Sequence, residues 1–477
     1  MLDARKFYIN GKWVDSHGGD DLQVVNPSNE EAIAVITLGA QADTDAAVAA
    51  AKAAFPLWAQ GPKGDRIAAL ERLFAVYKER AEDMAQAISQ EMGAPIALAR
   101  SAQVGAGMGH LKNAIETLKS FEFDRMLGDH APSERILMEA IGVCGLITPW
   151  NWPMNQVVLK VAPALAAGCT VVLKPSEIAP LSSYLFAEMV DAADIPPGVF
   201  NLVNGDGPGV GTQLSVHPDV DMVSFTGSTR AGRSITKNAA ETIKRVTLEL
   251  GGKGANIVFA DADEDAIARG VHHCFNNSGQ SCNAPTRMLV ERSIYDEAVK
   301  TAKLVAESTS VASADADGNH IGPVVSEVQW DKIQGLIQKG IDDGGKLLAG
   351  GAGRPDGLNR GWYTRPTVFA DVEPNMTIWR EEIFGPVLSM TPFDMEDEAI
   401  EMANDTTYGL TNYVQSQDME KARRTARLMR TGMVVINGAD RSPGTPFGGY
   451  RQSGNGREGG IWGLEDFLEV KSVSGWE

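Results

Sequence analysis

Cys282 sits in Asn276-Asn277-Ser278-Gly279-Gln280-Ser281-Cys282-Asn283-Ala284-Pro285, a polar, glycine-containing loop between a helical and a strand-like stretch. A thiol on such a loop is unlike one packed in a core. It can ionise and act as a nucleophile. From the loop alone, that reading and a surface cysteine without a role are evenly matched. The other three cysteines read as core residues. Cys274 follows Ile267 and Val271 at helical spacing, Cys144 lies inside an apolar strand, and Cys169 is beside a strand start. Glu249 faces away from Leu248 and Leu250 in Val246-Thr247-Leu248-Glu249-Leu250, at a strand end followed by Gly251-Gly252. Glycines there admit a ligand or a loop, and a carboxylate in the resulting crevice suits a general base. Taken alone, a solvated glutamate at a strand edge is the simpler reading. Asn151 is bracketed by Pro149-Trp150 and Trp152-Pro153. A held amide donor suits an oxyanion, and an asparagine there would equally cap the following helix.

The glycine signals are weaker. Gly205-Asp206-Gly207-Pro208-Gly209-Val210-Gly211 joins a strand to a helix, but Val210 stands where the dinucleotide fingerprint has its last glycine. Phe225-Thr226-Gly227-Ser228 ends a strand and opens a helix, so backbone amides at Thr226, Gly227 and Ser228 could cradle a pyrophosphate. His272 and His273 face different ways on a helix. No histidine spacing marks a metal site, and no Walker A sequence is present.

These residues need elements to position them. Phe7-Tyr8-Ile9 and Lys12-Trp13-Val14 flank Asn10-Gly11, a hairpin signal. From about residue 44 to 119 the pattern is helical, with Ile67, Leu70, Leu73 and Phe74, then Met84, Ile88 and Met92, as core faces. Strands are expected at 142–147, 170–173, 200–203, 222–225 and 245–250. Helical stretches separate them, including 209–216 and 229–244. Alternation of this kind predicts a parallel sheet covered on both faces, with ligands at the carboxyl ends of its strands. A second αβ run follows to about 437, with strands at 287–291, 366–369 and 434–437. Phe467 to Val473 alternates like an edge strand, a natural place for subunit pairing.

The 477 residues imply two or three domains. Hydrophobic residues at 43% and charged residues at 22% exclude disorder as the main theme. The net charge of −19 excludes the basic surface of a nucleic-acid or anionic-membrane binder. Four cysteines are too few for a disulfide framework. The start MLDARKFYIN lacks an apolar signal segment, and Val161 to Leu173 is too short to span a bilayer. A cytoplasmic protein with reduced thiols is expected.

Seven segments in order resemble the NAD(P)-dependent aldehyde dehydrogenase superfamily over nearly the whole chain. They are PWNWP at 149–153, KPSE at 174–177, FTGS at 225–228, LELGGK at 248–253, GQSC at 279–282, EEIFGPV at 381–387 and PFGGYRQSGNGRE at 446–458. The GQSCNAPTR form is similar to a bacterial branch in which some members are suggested to oxidise oxo-acids or aldehydes from ring-compound catabolism. The resemblance implies an α/β fold: a Rossmann-type cofactor domain at 1–121 and 141–249, a catalytic domain at 250–450, and an oligomerisation arm and tail at 122–140 and 451–477. It also implies roles. Cys282 is the nucleophile, Asn151 with the Cys282 backbone N–H is the oxyanion hole, and Glu249 is the base that activates water. Lys160 and Glu458 form a proton relay behind the base. Lys174 and Glu177 contact the adenosine ribose, Ser228 the pyrophosphate, and Glu382 and Phe384 the nicotinamide ribose and ring, with Trp150 as a wall. Ser176, Gly207, Thr226, Gly227 and Leu250 complete the implied cofactor contacts.

The implied reaction is oxidation of an aldehyde to the acid through a thiohemiacetal and a thioester on Cys282. A carboxylate at Glu177 bonded to the ribose would repel a 2′-phosphate, so NAD is expected over NADP, with NADP possible. The implied access tunnel includes Trp152, Gln156, Leu159, Ser281, Asn283 and Asp440-Arg441-Ser442. Arg441 could pair with a substrate carboxylate, although a solvated loop arginine is the simpler reading. Rivals are a CoA-acylating dehydrogenase, disfavoured by the presence of Glu249, and a non-catalytic binding relative, disfavoured by Cys282 and Glu249 together. The resemblance further implies a homo-oligomer, dimer or tetramer, a small-molecule aldehyde as partner, and no metal.

Overall fold

The computed structural model describes residues 1–476. Asn10 and Gly11 have φ of 53° and 71°, as a type I′ turn requires, and they join Phe7–Ile9 to Lys12–Val14. That hairpin edges an eight-stranded sheet. Its spatial order is Gly454–Asn455, Arg245–Glu249, Met222–Thr226, Val143–Ile147, Thr170–Lys174, Phe200–Leu202, Phe7–Ile9, Lys12–Val14. The five central strands are parallel. Four of those five are apolar runs buried along their length, because helices cover both faces. Val143–Ile147 has the later strand Met222–Thr226 on one side and Thr170–Lys174 on the other. The winding therefore reverses between Val143–Ile147 and Met222–Thr226, where a crevice opens at the carboxyl ends.

The helix Pro153–Ala167 feeds that crevice from Val143–Ile147. Pro153 at its first turn and Gly168 at φ 100° after its last set its ends. The expected helix at 209–216 begins instead as a π-turn, Gly207–Gly211, capped by Asp206 on the Gly209 N–H at 2.6 Å, and continues as Thr212–Val216. The expected helix 229–244 stops at Ala239, and a short 3₁₀ turn and Ile243 at φ 54° lead into the next strand.

The second sheet has seven strands, ordered Lys346–Ala349, Thr367–Ala370, Val387–Phe393, Arg287–Glu291, Ala255–Val258, Thr411–Gln415, Met433–Ile436. Val387–Phe393 and Thr411–Gln415 carry no clear strand signal. The first contains Ser389 and Pro392, and the second sets Thr411-Asn412 and Gln415 around Tyr413-Val414 without alternation, yet is buried throughout. Two of its polar side chains are spent internally: Asn412 accepts from the Ala255 N–H at 2.9 Å, and Gln415 donates to Asn256 at 2.9 Å.

A three-stranded arm pairs Asp124–Met126, Glu134–Ala140 and Leu468–Ser474, the last at its edge. The stretch 451–477 does not belong to the arm as one piece. Gly454–Asn455 joins the eight-stranded sheet, and Gly460–Glu465 packs on Pro153–Ala167. No helix among the described residues is long and apolar enough to cross a membrane.

Candidate active site

A cavity of about 210 Å³ opens at the carboxyl ends of Val143–Ile147, Met222–Thr226 and Arg245–Glu249. Trp150, Asn151, Thr226, Gly227, Ser228, Glu249, Leu250, Cys282, Glu382 and Phe384 all line it. Gly251-Gly252 makes this convergence possible. A Cβ on Gly252 would strike the Cys282 carbonyl, and one on Gly251 would strike the Glu382 carboxylate. Trp150 and Phe384 meet edge to face, 5.4 Å apart at 86°, with Phe384 held at φ 61°.

The nucleophile candidate is presented by a strained loop. Asn277, Ser278 and Gly279 are all left-handed, at φ 52°, 57° and 72°. Surrounding bonds hold them there. The Ser278 hydroxyl donates to the Gly322 carbonyl at 2.8 Å, and the Gln280 side chain accepts from the Val325 N–H at 2.9 Å. A Cβ on Gly279 would collide with the Gly385 carbonyl. Asn151 does not cap the following helix. That place is taken by Trp152 without a side-chain bond, while Asn151 Nδ2 donates to the Gln280 carbonyl at 3.0 Å. Of its two N–H groups, one is thereby fixed and the other is free to face the cavity.

Cys282 is partly buried, unlike the three fully buried cysteines. Burial pushes its thiol well up, and Glu382 and Glu249 push it further, against its own backbone N–H. Cys144, Cys169 and Cys274 are buried, as expected. Glu249 is pushed well above the usual carboxylate range by burial and then by Glu458, with Lys160 and Arg457 opposing. Neither of its oxygens has a hydrogen-bond partner. Lys160 and Glu458 lie outside the cavity lining and pair with each other at 2.5 Å, Lys160 also donating to Ser224 at 3.1 Å. Glu382 accepts from the Gly252 N–H at 2.9 Å, and burial raises its pKa.

Lys174, Ser176, Glu177 and Gly207 also lie outside that lining, along the same carboxyl edge of the sheet. Lys174 Nζ pairs with Glu177 at 3.1 Å, Ser176 accepts from the Ile178 N–H at 3.3 Å, and Gly207 opens the π-turn.

The family model for the aldehyde dehydrogenase family matches residues 13–473. The chain belongs to this family. A 3-succinoylsemialdehyde-pyridine dehydrogenase from a Pseudomonas species is 51% identical to this aldehyde dehydrogenase over the whole of both chains. The crystal structure of an aldehyde dehydrogenase from Bartonella henselae superposes with a TM-score of 0.99 at 60% identity, covering 100% of both chains. Aldehyde dehydrogenase C from Pseudomonas syringae, solved as a cysteine-to-alanine mutant with NAD+ and octanal, gives a TM-score of 0.98 at 49% identity. The match covers 99% of this chain and 97% of that one.

Sequence reasoning missed several residues of this aldehyde dehydrogenase's site. Gln329 and Lys332 line the cavity from the helix Glu327–Asp342, and Gln329 donates to the Phe384 carbonyl at 2.9 Å. Behind Asn151, Asn277 Nδ2 donates to the Asn151 carbonyl at 2.9 Å, and Gln103 Nε2 reaches the same carbonyl at 3.2 Å. Gln103 ends a π-turn, Ala99–Gln103, inserted in an otherwise α-helical run. Nothing in an Ala-rich helical pattern marks that position; only the neighbouring glutamine and asparagine amides, brought close by folding, do. Gln103→Met keeps the volume and removes the donor. It should lower kcat by roughly tenfold, about one charge-free hydrogen bond's worth, with KM for NAD unchanged. Steady-state kinetics with both substrates varied checks this. An unchanged kcat would show that Asn151 is held without it.

Proposed function

We propose that the enzyme oxidises an aldehyde to the carboxylic acid with NAD, using Cys282 as nucleophile and Glu249 as the base for hydrolysis. The observation that carries this reading is one cavity shared by a thiol, a half-free amide donor and an unpaired buried carboxylate.

The residues fit a dinucleotide. Ser228 caps the helix Thr229–Ala239, so its amides and positive end suit a pyrophosphate. Thr226 Oγ1 is buried without a partner beside them. Trp150 and Phe384 wall the space next to Cys282, and Glu382, anchored by Gly252, can accept from a ribose hydroxyl. The cofactor supplies one thing, acceptance of a hydride.

The chain's own groups do the rest. The Cys282 thiol gives its proton to water as its sulfur attacks the aldehyde carbon, forming a C–S bond and leaving charge on oxygen. The second N–H of Asn151 and the Cys282 backbone N–H donate to that oxyanion, and one such donor is worth about 3 kcal/mol. Loss of hydride from the same carbon leaves a thioester on Cys282. Glu249 accepts a proton from water. The water oxygen bonds to the thioester carbon, the C–S bond breaks, and Glu249 returns its proton to the departing sulfur, restoring the Cys282 thiol with the acid released. Burial raises the affinity of Glu249 for that proton most, and the nearby charges of Glu458 and Lys160 then push it up and down respectively.

The presence of Glu249 supports hydrolysis over transfer to CoA. NAD reduction by the purified enzyme across an aldehyde panel, with and without CoA, tests the reading. Reduction without CoA is the expected result; turnover only with CoA would replace it with acyl transfer.

Glu177 supports NAD over NADP, because a carboxylate near the ribose repels a 2′-phosphate. Glu177→Gln should bring the NAD/NADP ratio of kcat/KM down by roughly tenfold. Paired kinetics with the two cofactors reads this directly. A ratio that does not move would place the discrimination elsewhere.

A further inference from the structure

A second cavity, about 780 Å³, borders the same Cys282 loop. Cys282 faces the cofactor-side cavity, and the next residue, Asn283, faces this one. Its walls near the loop are polar: Asn276 and Asn283 from the loop, His273 and Tyr413 beside it, and Arg441 from the segment after Met433–Ile436. Leu98, Ile321 and Val435 add apolar patches to the same cavity.

Tyr413 links the two ends. Its hydroxyl donates to the Asn283 carbonyl at 2.6 Å, its ring meets His273 edge to face at 5.0 Å, and it lies within electrostatic reach of both Cys282 and Arg441.

Arg441 is the available cation. Its guanidinium lies over the Phe447 ring at 5.2 Å. One nitrogen, Nη2, donates to the Pro446 carbonyl at 2.9 Å and to the Thr445 carbonyl at 3.3 Å. Among the described residues it makes no salt bridge, and its side-chain hydrogen bonds all come from Nη2. Arg269 on the same wall is different: Asp263 and Gln415 already occupy it. His273 is held neutral by burial. Backbone and ring thus fix the guanidinium in place without neutralising it, which is the state of an anion receptor. With a net charge of −19 on the chain, attraction of an anion has to come from a local cation of this kind.

We propose that the substrate is an aldehyde carrying a distal carboxylate, and that Arg441 binds that carboxylate while the aldehyde end reaches Cys282. This rests on the dehydrogenase reading above and names its substrate class.

The test compares substrates of equal length, glutaric semialdehyde against pentanal and succinic semialdehyde against butanal. Each pair is run with the unsubstituted enzyme, Arg441→Lys and Arg441→Met. The unsubstituted enzyme should favour the carboxylated member by at least about tenfold in kcat/KM. Arg441→Met should reduce that ratio by roughly 10- to 100-fold, mainly through KM, as expected for losing a charge-assisted bond. Arg441→Lys should recover part of it. A second readout needs no turnover: glutarate, and not pentanoate, should slow alkylation of Cys282 by iodoacetamide, and Arg441→Met should lose this protection.

Equal or better turnover of the neutral aldehydes, or a ratio untouched by Arg441→Met, overturns the carboxylate subsite and leaves the dehydrogenase reading standing. Protection by glutarate with no NAD reduction on any aldehyde has the opposite meaning: the subsite is real and the dehydrogenase reading fails. Absence of both removes both.

Discussion

Cys282→Ala should abolish NAD reduction on every aldehyde, a loss of at least ~10⁴-fold, as is usual when a nucleophile is deleted. NAD binding should persist, because the cofactor contacts proposed above come from other elements. Cys144, Cys169 and Cys274 are buried, so iodoacetamide should label one thiol per native chain and none in the variant. The labelling rate of the native enzyme should rise steeply towards alkaline pH, because burial, Glu382 and Glu249 all hold the thiol protonated. A variant that keeps a tenth of its activity would remove Cys282 from the chemistry.

Glu249→Gln separates the two halves of the reaction. Hydride transfer precedes hydrolysis, so the first turnover should survive as a burst of about one NADH per site, followed by a steady state slower by roughly 10²- to 10⁴-fold. The pH dependence follows from the raised groups. In the native enzyme the base is competent only when ionised, and its pKa is raised, so hydrolysis should fall as pH drops through a range above that of ordinary carboxylates. The substitution has an opposite effect on the thiol. Glu249 is one of the charges that raises Cys282, so removing it lowers the thiol pKa. Alkylation should then be faster at a given pH, with its profile displaced to lower pH. Rapid-mixing fluorescence reads the burst, and alkylation rates between pH 6 and 10 read the displacement. A steady state equal to the native rate, or loss of the burst along with it, would deny Glu249 its place in hydrolysis.

Much of the architecture was legible from local pattern. The Asn10-Gly11 turn, the alternation of short apolar strands with helices from residue 142 to 250, and the edge character of 467–473 each depend on neighbours in the chain. Elsewhere tertiary contacts override local preference. Thr411–Gln415 is a buried strand because Asn412 and Gln415 find amide partners on Ala255–Val258. The break in 451–477 is of the same kind, since Gly454 can lie against the Leu248 carbonyl only where it has no Cβ.

The sequence by itself determined which chemical groups are present and roughly where they fall: a thiol on a polar loop, a carboxylate before two glycines, an asparagine between proline-tryptophan corners. It also determined a family, through seven ordered segments. Only the tertiary structure decided what each group does with its bonds and charge. It turned Asn151 from a possible helix cap into a donor on the Gln280 carbonyl with one N–H to spare, and it placed Gln103 and Asn277 behind that residue. It also set the surroundings of Cys282, whose protonation depends on how much water burial removes and on which carboxylates lie near. Both quantities are sums over residues distant in the chain, and no local pattern of residues encodes them.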